Sequence, residues 1–68
     1  MMTTVDSRLP TLVHELSNML TVIRGAAELA KRKLEPDHPA HGDVDEVLSA
    51  SEGAVEVTRE LLLLTAQR

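Results

Sequence analysis

The sequence contains no cysteine, no phenylalanine, no tyrosine and no tryptophan. Without cysteine it cannot form a disulfide bond or a thiolate metal site, and it suits a reducing compartment. Without aromatic rings it lacks the side chains that stack on nucleic-acid bases, sugars and flat ligands. The interior must be built from Leu, Val, Ile, Ala and Met. Because a domain of 68 residues is barely large enough to be stable alone, we expect a partner chain to complete it.

Positive charge is also scarce. Seven Lys and Arg residues against eleven Asp and Glu give a formal net charge of −4, whereas nucleic acids and anionic lipids favour clustered Lys and Arg. The first ten residues lack the apolar run of a signal peptide. No stretch approaches the roughly 20 apolar residues that cross a bilayer. We therefore expect a soluble segment with no nucleic-acid partner and no membrane contact.

The first half of the chain has a clear helical pattern that begins at Leu9. Apolar residues recur in alternating steps of three and four, which is the a/d pattern of a heptad repeat. The members of this row are Leu9, Leu12, Leu16, Met19, Ile23, Ala26 and Ala30. A second row at the e position widens the apolar stripe and consists of Val13, Leu20, Ala27 and Leu34. The pattern predicts a helix over about residues 9–34, preceded by a flank at 1–8 that offers Ser7 as a possible cap.

Two prolines and a glycine interrupt the pattern over residues 35–42, and Pro36 should end the first helix near Leu34. The second helix is predicted over about residues 43–67. It could begin with Pro39 in its first turn or with Asp43 as a cap. Its a/d row consists of Val44, Val47, Ser51, Ala54, Thr58, Leu61 and Thr65, with Leu48, Val55 and Leu62 beside it.

A short turn makes two such helices antiparallel neighbours, but neither helix can cover the wide apolar stripe of the other. Two hairpins packed as a four-helix bundle would cover all four stripes. We therefore predict one all-α domain over residues 9–68, an antiparallel two-helix hairpin that forms a homodimer. The small polar residues in the second a/d row would suit a bundle whose helices move relative to one another. They are equally compatible with a static bundle, because helix interfaces commonly accept small side chains.

A histidine lies outside the predicted core. With Leu9 at position a, His14 falls at position f and points away from the bundle axis. Asn18 shares its face one turn later, and Glu15 is its immediate neighbour. A nucleophile, a carboxylate and an amide therefore meet at one exposed place, although surface helices also carry these residues simply for solubility.

Residues 14–21, HELSNMLT, resemble the H-box of sensor histidine kinases, a histidine followed by an acidic residue and, three positions later, Thr or Asn. The similarity continues through residues 22–30, the proline-containing turn and residues 58–62 of the second helix. The chain thus resembles the dimerisation and histidine phosphotransfer domain of two-component sensor histidine kinases. Many members have proline five residues after the histidine, where this chain has Met19, so the helix bend at that point is in question.

The resemblance implies roles for individual residues. His14 would be the phosphoacceptor, because a neutral imidazole carries a lone pair that can attack phosphorus. Glu15 would take the proton from the other ring nitrogen, and Asn18 would orient the phosphate or a water molecule. A receiver domain of a response regulator is expected to contact Ser17, Thr21 and Arg24, in addition to Asn18, as exposed positions of the first helix.

The chain contains only three glycines and no glycine-rich phosphate loop, so it should not bind ATP alone. No cofactor is expected in this chain, and the resemblance places ATP and Mg²⁺ on a separate catalytic domain, acting in cis or in trans. The chain would then be part of a cytoplasmic protein-histidine kinase that passes its phosphoryl group to an aspartate of the regulator. Whether it is a fragment or a complete acceptor stays open.

Three other functions remain possible from the sequence. The chain could be a stand-alone histidine phosphotransferase of a relay, a dimerisation hairpin without chemistry, or one component of a bundle with a different partner. His38 and His41 lie near Asp37 and Asp43, but three-residue spacing in a turn is a weak metal signal, and we predict no metal site.

Overall fold

The computed structural model describes residues 7–66, which form two α-helices and no strand. Helix α1 spans Leu9–Lys33 and helix α2 spans His41–Ala66. The all-α hairpin predicted from the sequence is confirmed for this part of the chain. Helix α2 begins between the two predicted starting points. Residues 1–6 of the flank predicted at 1–8, and the last predicted helical residue, 67, lie outside the described residues.

The ends of helix α1 are defined by its first backbone hydrogen bond and by the extended backbone of Leu34. The carbonyl of Arg8 accepts the first helical hydrogen bond from the Leu12 N–H at 2.9 Å, but the Arg8 side chain makes no capping hydrogen bond. At the other end Leu34 has extended backbone angles, two residues before Pro36, as expected where a proline prevents continuation. The last turn carries three basic residues, Lys31–Lys33, which interact favourably with the helix dipole.

His38 organises the turn between the helices. Its N–H donates to the Glu35 carbonyl at 2.9 Å, and its own carbonyl accepts the His41 N–H at 3.1 Å. Its side-chain Nδ1 accepts the Ala40 N–H at 3.0 Å. These three bonds satisfy backbone groups that the helix ends would otherwise leave unpaired, so α2 begins at His41 rather than at Asp43.

The two helices meet along one narrow row on each helix, which we call the contact rows. The α1 row is formed mainly by the predicted e residues, which are buried or half-buried, together with Ser17 between them. The α2 row is formed by Val44, Leu48, Ser51, Val55, Thr58, Leu62 and Thr65, all at least half-buried. Within residues 7–66, Val13 is the one apolar residue that becomes fully buried, at 5% exposure. The hairpin alone therefore has very little apolar interior.

Three hydroxyl residues, spaced seven positions apart in the sequence, lie in the α2 contact row. Ser51, Thr58 and Thr65 each donate a hydrogen bond to the carbonyl three residues earlier, at 2.8–2.9 Å. Such bonds to the helix backbone satisfy a buried hydroxyl without a partner on the other helix. They allow polar side chains inside the contact, but they contribute little to holding the two helices together.

Most of the other large apolar residues lie one position before the contact rows, whereas exposed Val22, Leu29 and Leu63 do not. Leu12 precedes Val13 and Leu16 precedes Ser17, while on α2 Val57 precedes Thr58 and Leu61 precedes Leu62. One residue is a rotation of about 100°, and in antiparallel helices equal rotations bring both rows to the same side of the hairpin. We call this surface the apolar face. Its exposed large residues are Leu12, Leu16, Met19, Ile23, Val47, Val57, Leu61 and Leu64.

Val13→Ala should destabilise the fold by about 2 kcal/mol, because it removes two buried methyl groups. The matched control is Val22→Ala, at a side chain that is 69% exposed, and its cost should stay below about 0.5 kcal/mol. Urea unfolding at one protein concentration measures both values. Equal midpoints for the two variants would show that Val13 is not the centre of the contact.

Candidate functional site

His14 is exposed on the side of the hairpin opposite the apolar face. It follows the buried Val13 by one residue, so the helix turns it out of the contact just as it turns Leu12 to the other side. Within residues 7–66 no hydrogen bond or ion pair engages its ring. The imidazole is thus held on a regular helix, accessible to a reactant and not needed for packing.

Glu15 and Asn18 are also exposed, so all three predicted catalytic residues lie on the solvent side of α1 within little more than one turn. Asn18 lies one turn after His14 and lines a shallow depression with Met19, Val22 and Ile23. Glu15 follows His14 by one residue, so it is rotated by about 100° from His14 and points away from α2. The helix brings the three side chains together, and no hydrogen bond joins them in this conformation.

The predicted receiver-contact residues are not all alike. Thr21 and Arg24 are exposed as expected, but Ser17 is half-buried in the α1 contact row. Its hydroxyl lies 3.4 Å from the Thr58 hydroxyl, and its carbonyl accepts the Thr21 hydroxyl at 3.0 Å. The expectation that Ser17 is exposed was wrong, because the hairpin pairs its helices through the e and b positions of α1 rather than through a and d.

Arg59 is a candidate site residue that the sequence pattern did not indicate. It follows Thr58 by one residue on α2, as His14 follows Val13 on α1, so both extend from the same side of the hairpin. Its side chain is 63% exposed and its Nη1 lies 3.6 Å from Glu56 Oε2 on the same helix. The antiparallel register needed to place it near His14 could have been estimated from the short turn, but not fixed without the Ser17–Thr58 contact.

The other two histidines, His38 in the turn and His41 at the start of α2, lie away from His14 at the opposite end of α1. His38 accepts a backbone hydrogen bond through Nδ1, and His41 is half-buried with its Nε2 shielded from solvent and without a partner. No group of three potential metal ligands is found in the part of the chain that the structure describes. The clearest cluster of reactive and polar side chains is therefore the one around His14.

Replacing His14 with Ala should leave helicity and stability unchanged within about 0.5 kcal/mol, because an exposed side chain without contacts contributes little to packing. Circular dichroism and thermal unfolding of His14→Ala beside the parent chain test this. A variant that unfolds or dissociates would place His14 in the packing and would contradict the register described above.

Neither helix is both long and apolar enough to cross a membrane within residues 7–66. Comparisons of the chain with protein-family models, with curated proteins and with solved structures find no match. The features of the molecule that bear on its function are therefore the side chains around His14 and the two faces of the hairpin.

Proposed function

We propose that this chain is a histidine phosphoacceptor and dimerisation module of the kind found in two-component sensor histidine kinases. The observation that carries the proposal is His14 itself, an exposed imidazole at the start of an H-E-x-x-N sequence on a regular helix. Its position is independent of packing, and the opposite side of the same hairpin is a continuous apolar face. Chemistry and assembly would thus use different surfaces of one small domain.

Phosphoryl transfer depends mainly on positioning and on electrostatic stabilisation, so a rigid exposed helix is a suitable platform for it. The lone pair of one imidazole nitrogen would form a bond to the γ-phosphorus of ATP while the bond from that phosphorus to the bridging oxygen breaks and ADP leaves. The proton on the other ring nitrogen would pass to Glu15, with Asn18 orienting the phosphoryl oxygens. A carboxylate oxygen of a receiver-domain aspartate would then form a bond to this phosphorus while the phosphorus–nitrogen bond breaks, and the imidazole would take back its proton.

The apolar face supports a homodimer. Its eight large side chains are all at least 40% exposed, which is an unusually continuous apolar surface for a monomeric domain. On α1 these residues follow the a/d heptad pattern, and helices with this pattern pack into bundles. A second copy would present the same face, so two hairpins would cover each other and enclose a core that one hairpin lacks.

The other partners follow from what the chain does not carry. An ATP-binding domain, in cis or in trans, would supply the nucleotide and its Mg²⁺, and a receiver domain would accept the phosphoryl group. Thr21 and Arg24 are exposed along the same helix beyond His14 and are suited to contact that receiver. Ser17, half-buried beneath them, would act through its contact with Thr58 rather than by direct binding.

Two neighbouring leucines provide a test of the dimer. Leu61 belongs to the apolar face and is 40% exposed, whereas Leu63, at 58% exposure, lies on the opposite side. Leu61→Asp should convert a dimer into a monomer, because a buried unpaired carboxylate is costly. Leu63→Asp should leave the dimer intact. Sedimentation equilibrium gives the masses, and a monomeric parent chain would exclude the homodimer.

Phosphorylation tests the chemistry. The ATP-binding domain of a sensor histidine kinase, added as a separate protein, should place an acid-labile, base-stable phosphate on the parent chain and on the control variant His38→Gln. It should place none on His14→Gln. The labelled protein should then lose the phosphate to a receiver domain. Absence of label with several active donor domains would favour a dimerisation hairpin without phosphoryl chemistry.

A further inference from the structure

We infer that Arg59 is the residue of this chain that binds the phosphoryl group carried by His14. The inference deepens the proposed function and rests on it, since it concerns the phosphorylated form of His14. It is drawn from the register of the two helices, from the side of the hairpin on which both residues lie, and from the charges along the groove between them.

The register brings Arg59 close to His14 along the helix axes. The 3.4 Å contact between the hydroxyls of Ser17 and Thr58 sets these two residues opposite each other. In an antiparallel pair Leu16 is then opposite Arg59, so Arg59 and His14 differ by two residues, or about 3 Å, along the axis. Packed helices lie 8–10 Å apart, a gap that a long arginine side chain and an imidazole carrying a phosphoryl group can together span.

Both residues lie on the same side of the groove, which we call the histidine face. Each follows a contact-row residue by one position, and that rotation leads to the side opposite the apolar face on both helices. The ion pair between Lys31 Nζ and Asp45 Oδ1, at 2.7 Å, shows that side chains do meet across this groove. Asp45 is two heptads before Arg59 and follows the contact residue Val44, so it occupies the equivalent position.

The charges along the groove change sign beside His14. Lys31 is paired with Asp45. One heptad closer to His14, the corresponding positions hold Arg24 on α1 and Glu52 on α2, so in both cases α1 carries the cation and α2 the anion. One further heptad along, the α2 residue is the cation Arg59, and the α1 residues at its level, Leu16 and Ser17, are uncharged. Within residues 7–66 the ion pair that Arg59 forms is with Glu56 of its own helix, and not with an acidic residue of α1.

The present partner of Arg59 is easily replaced. The Arg59–Glu56 pair lies within α2 at 3.6 Å, with both side chains more than 60% exposed, and exposed pairs of this kind contribute little. A phosphoryl group offers three acceptor oxygens and about two negative charges. A guanidinium binds such a group through two parallel hydrogen bonds, which makes phosphate the stronger partner.

Phosphoramidate tests the inference without an ATP-binding domain. The lone pair of an imidazole nitrogen forms a bond to phosphorus, the phosphorus–nitrogen bond of the donor breaks, and ammonia leaves with the proton released by the ring. The reagent acts on any accessible imidazole, so exposed His38 is an internal reference in the same molecule. The measurement is the ratio of phosphate on His14 to phosphate on His38, by peptide mass mapping, with the ³¹P chemical shift of phosphorylated His14.

Arg59→Gln should lower this ratio about threefold to tenfold and should change the ³¹P chemical shift. The lower value is expected if Arg59 and the phosphoryl group form an exposed ion pair, and the higher value if they form a charge-assisted bidentate hydrogen bond. Arg59→Lys should recover part of the ratio, because lysine keeps the positive charge but cannot donate the two parallel hydrogen bonds of a guanidinium. The control is Arg32→Gln, the same change in charge about 27 Å along α1 from His14, which should leave the ratio unchanged. Circular dichroism checks that all three variants are folded.

The outcomes separate the two proposals. If the parent chain becomes phosphorylated on His14 both by phosphoramidate and by an ATP-binding domain, but Arg59→Gln matches it in ratio and shift, the role of Arg59 is overturned and the proposed function stands. An equal decrease in Arg59→Gln and Arg32→Gln would also overturn it, as an effect of net charge. If His14 accepts phosphate from neither donor while His38 does from phosphoramidate, the proposed function itself fails.

Discussion

The contact between the two helices is narrow and partly polar, and the rest of the structure depends on this constraint. Three of the seven residues in the α2 contact row are Ser or Thr, whose hydroxyls bond to their own helix. Hydrophobic stabilisation scales with the apolar area removed from water, and here most of that area lies one residue away from the contact. The large side chains that would form a core are present, but a single chain leaves them exposed.

That one-residue offset also explains how so short a chain provides two different surfaces. In an antiparallel pair, residues that precede the contact rows share one side, and residues that follow them share the other. The first side carries Leu, Ile, Met and Val. The second carries His14, Thr21, Glu56 and Arg59. A reactive histidine on the second side can be exchanged, modified or approached by another protein without disturbing the apolar face, because the helix backbone alone fixes its position.

Much of the fold followed from local signals. The three-and-four spacing from Leu9 and the break at Pro36 predicted α1 and the turn. They did not predict which row of a broad stripe would face α2, because rows a, d and e are all apolar and local propensity is the same for each. The exposure expected of Ser17 was wrong for that reason. The start of α2 at His41 depends on hydrogen bonds of His38, which no periodic pattern encodes. The catalytic candidates on α1 could be grouped by helical spacing, whereas Arg59 required the register between helices.

The charge of the whole chain and the charge beside His14 act in opposite directions. A net charge of −4 disfavours the approach of a nucleoside triphosphate. At physiological salt, however, the Debye length is about 8 Å, so the charges of exposed groups farther away than this are largely screened. What a phosphoryl group on His14 experiences is therefore set by the few groups within that distance. Under the proposal Arg59 is one of these groups, together with Glu15 beside His14 and Glu56 beside Arg59, whereas Asp45 and Glu52 lie at least one heptad, about 10 Å, farther along the axis. The net charge of the whole chain therefore does not decide whether a phosphate is bound at this place.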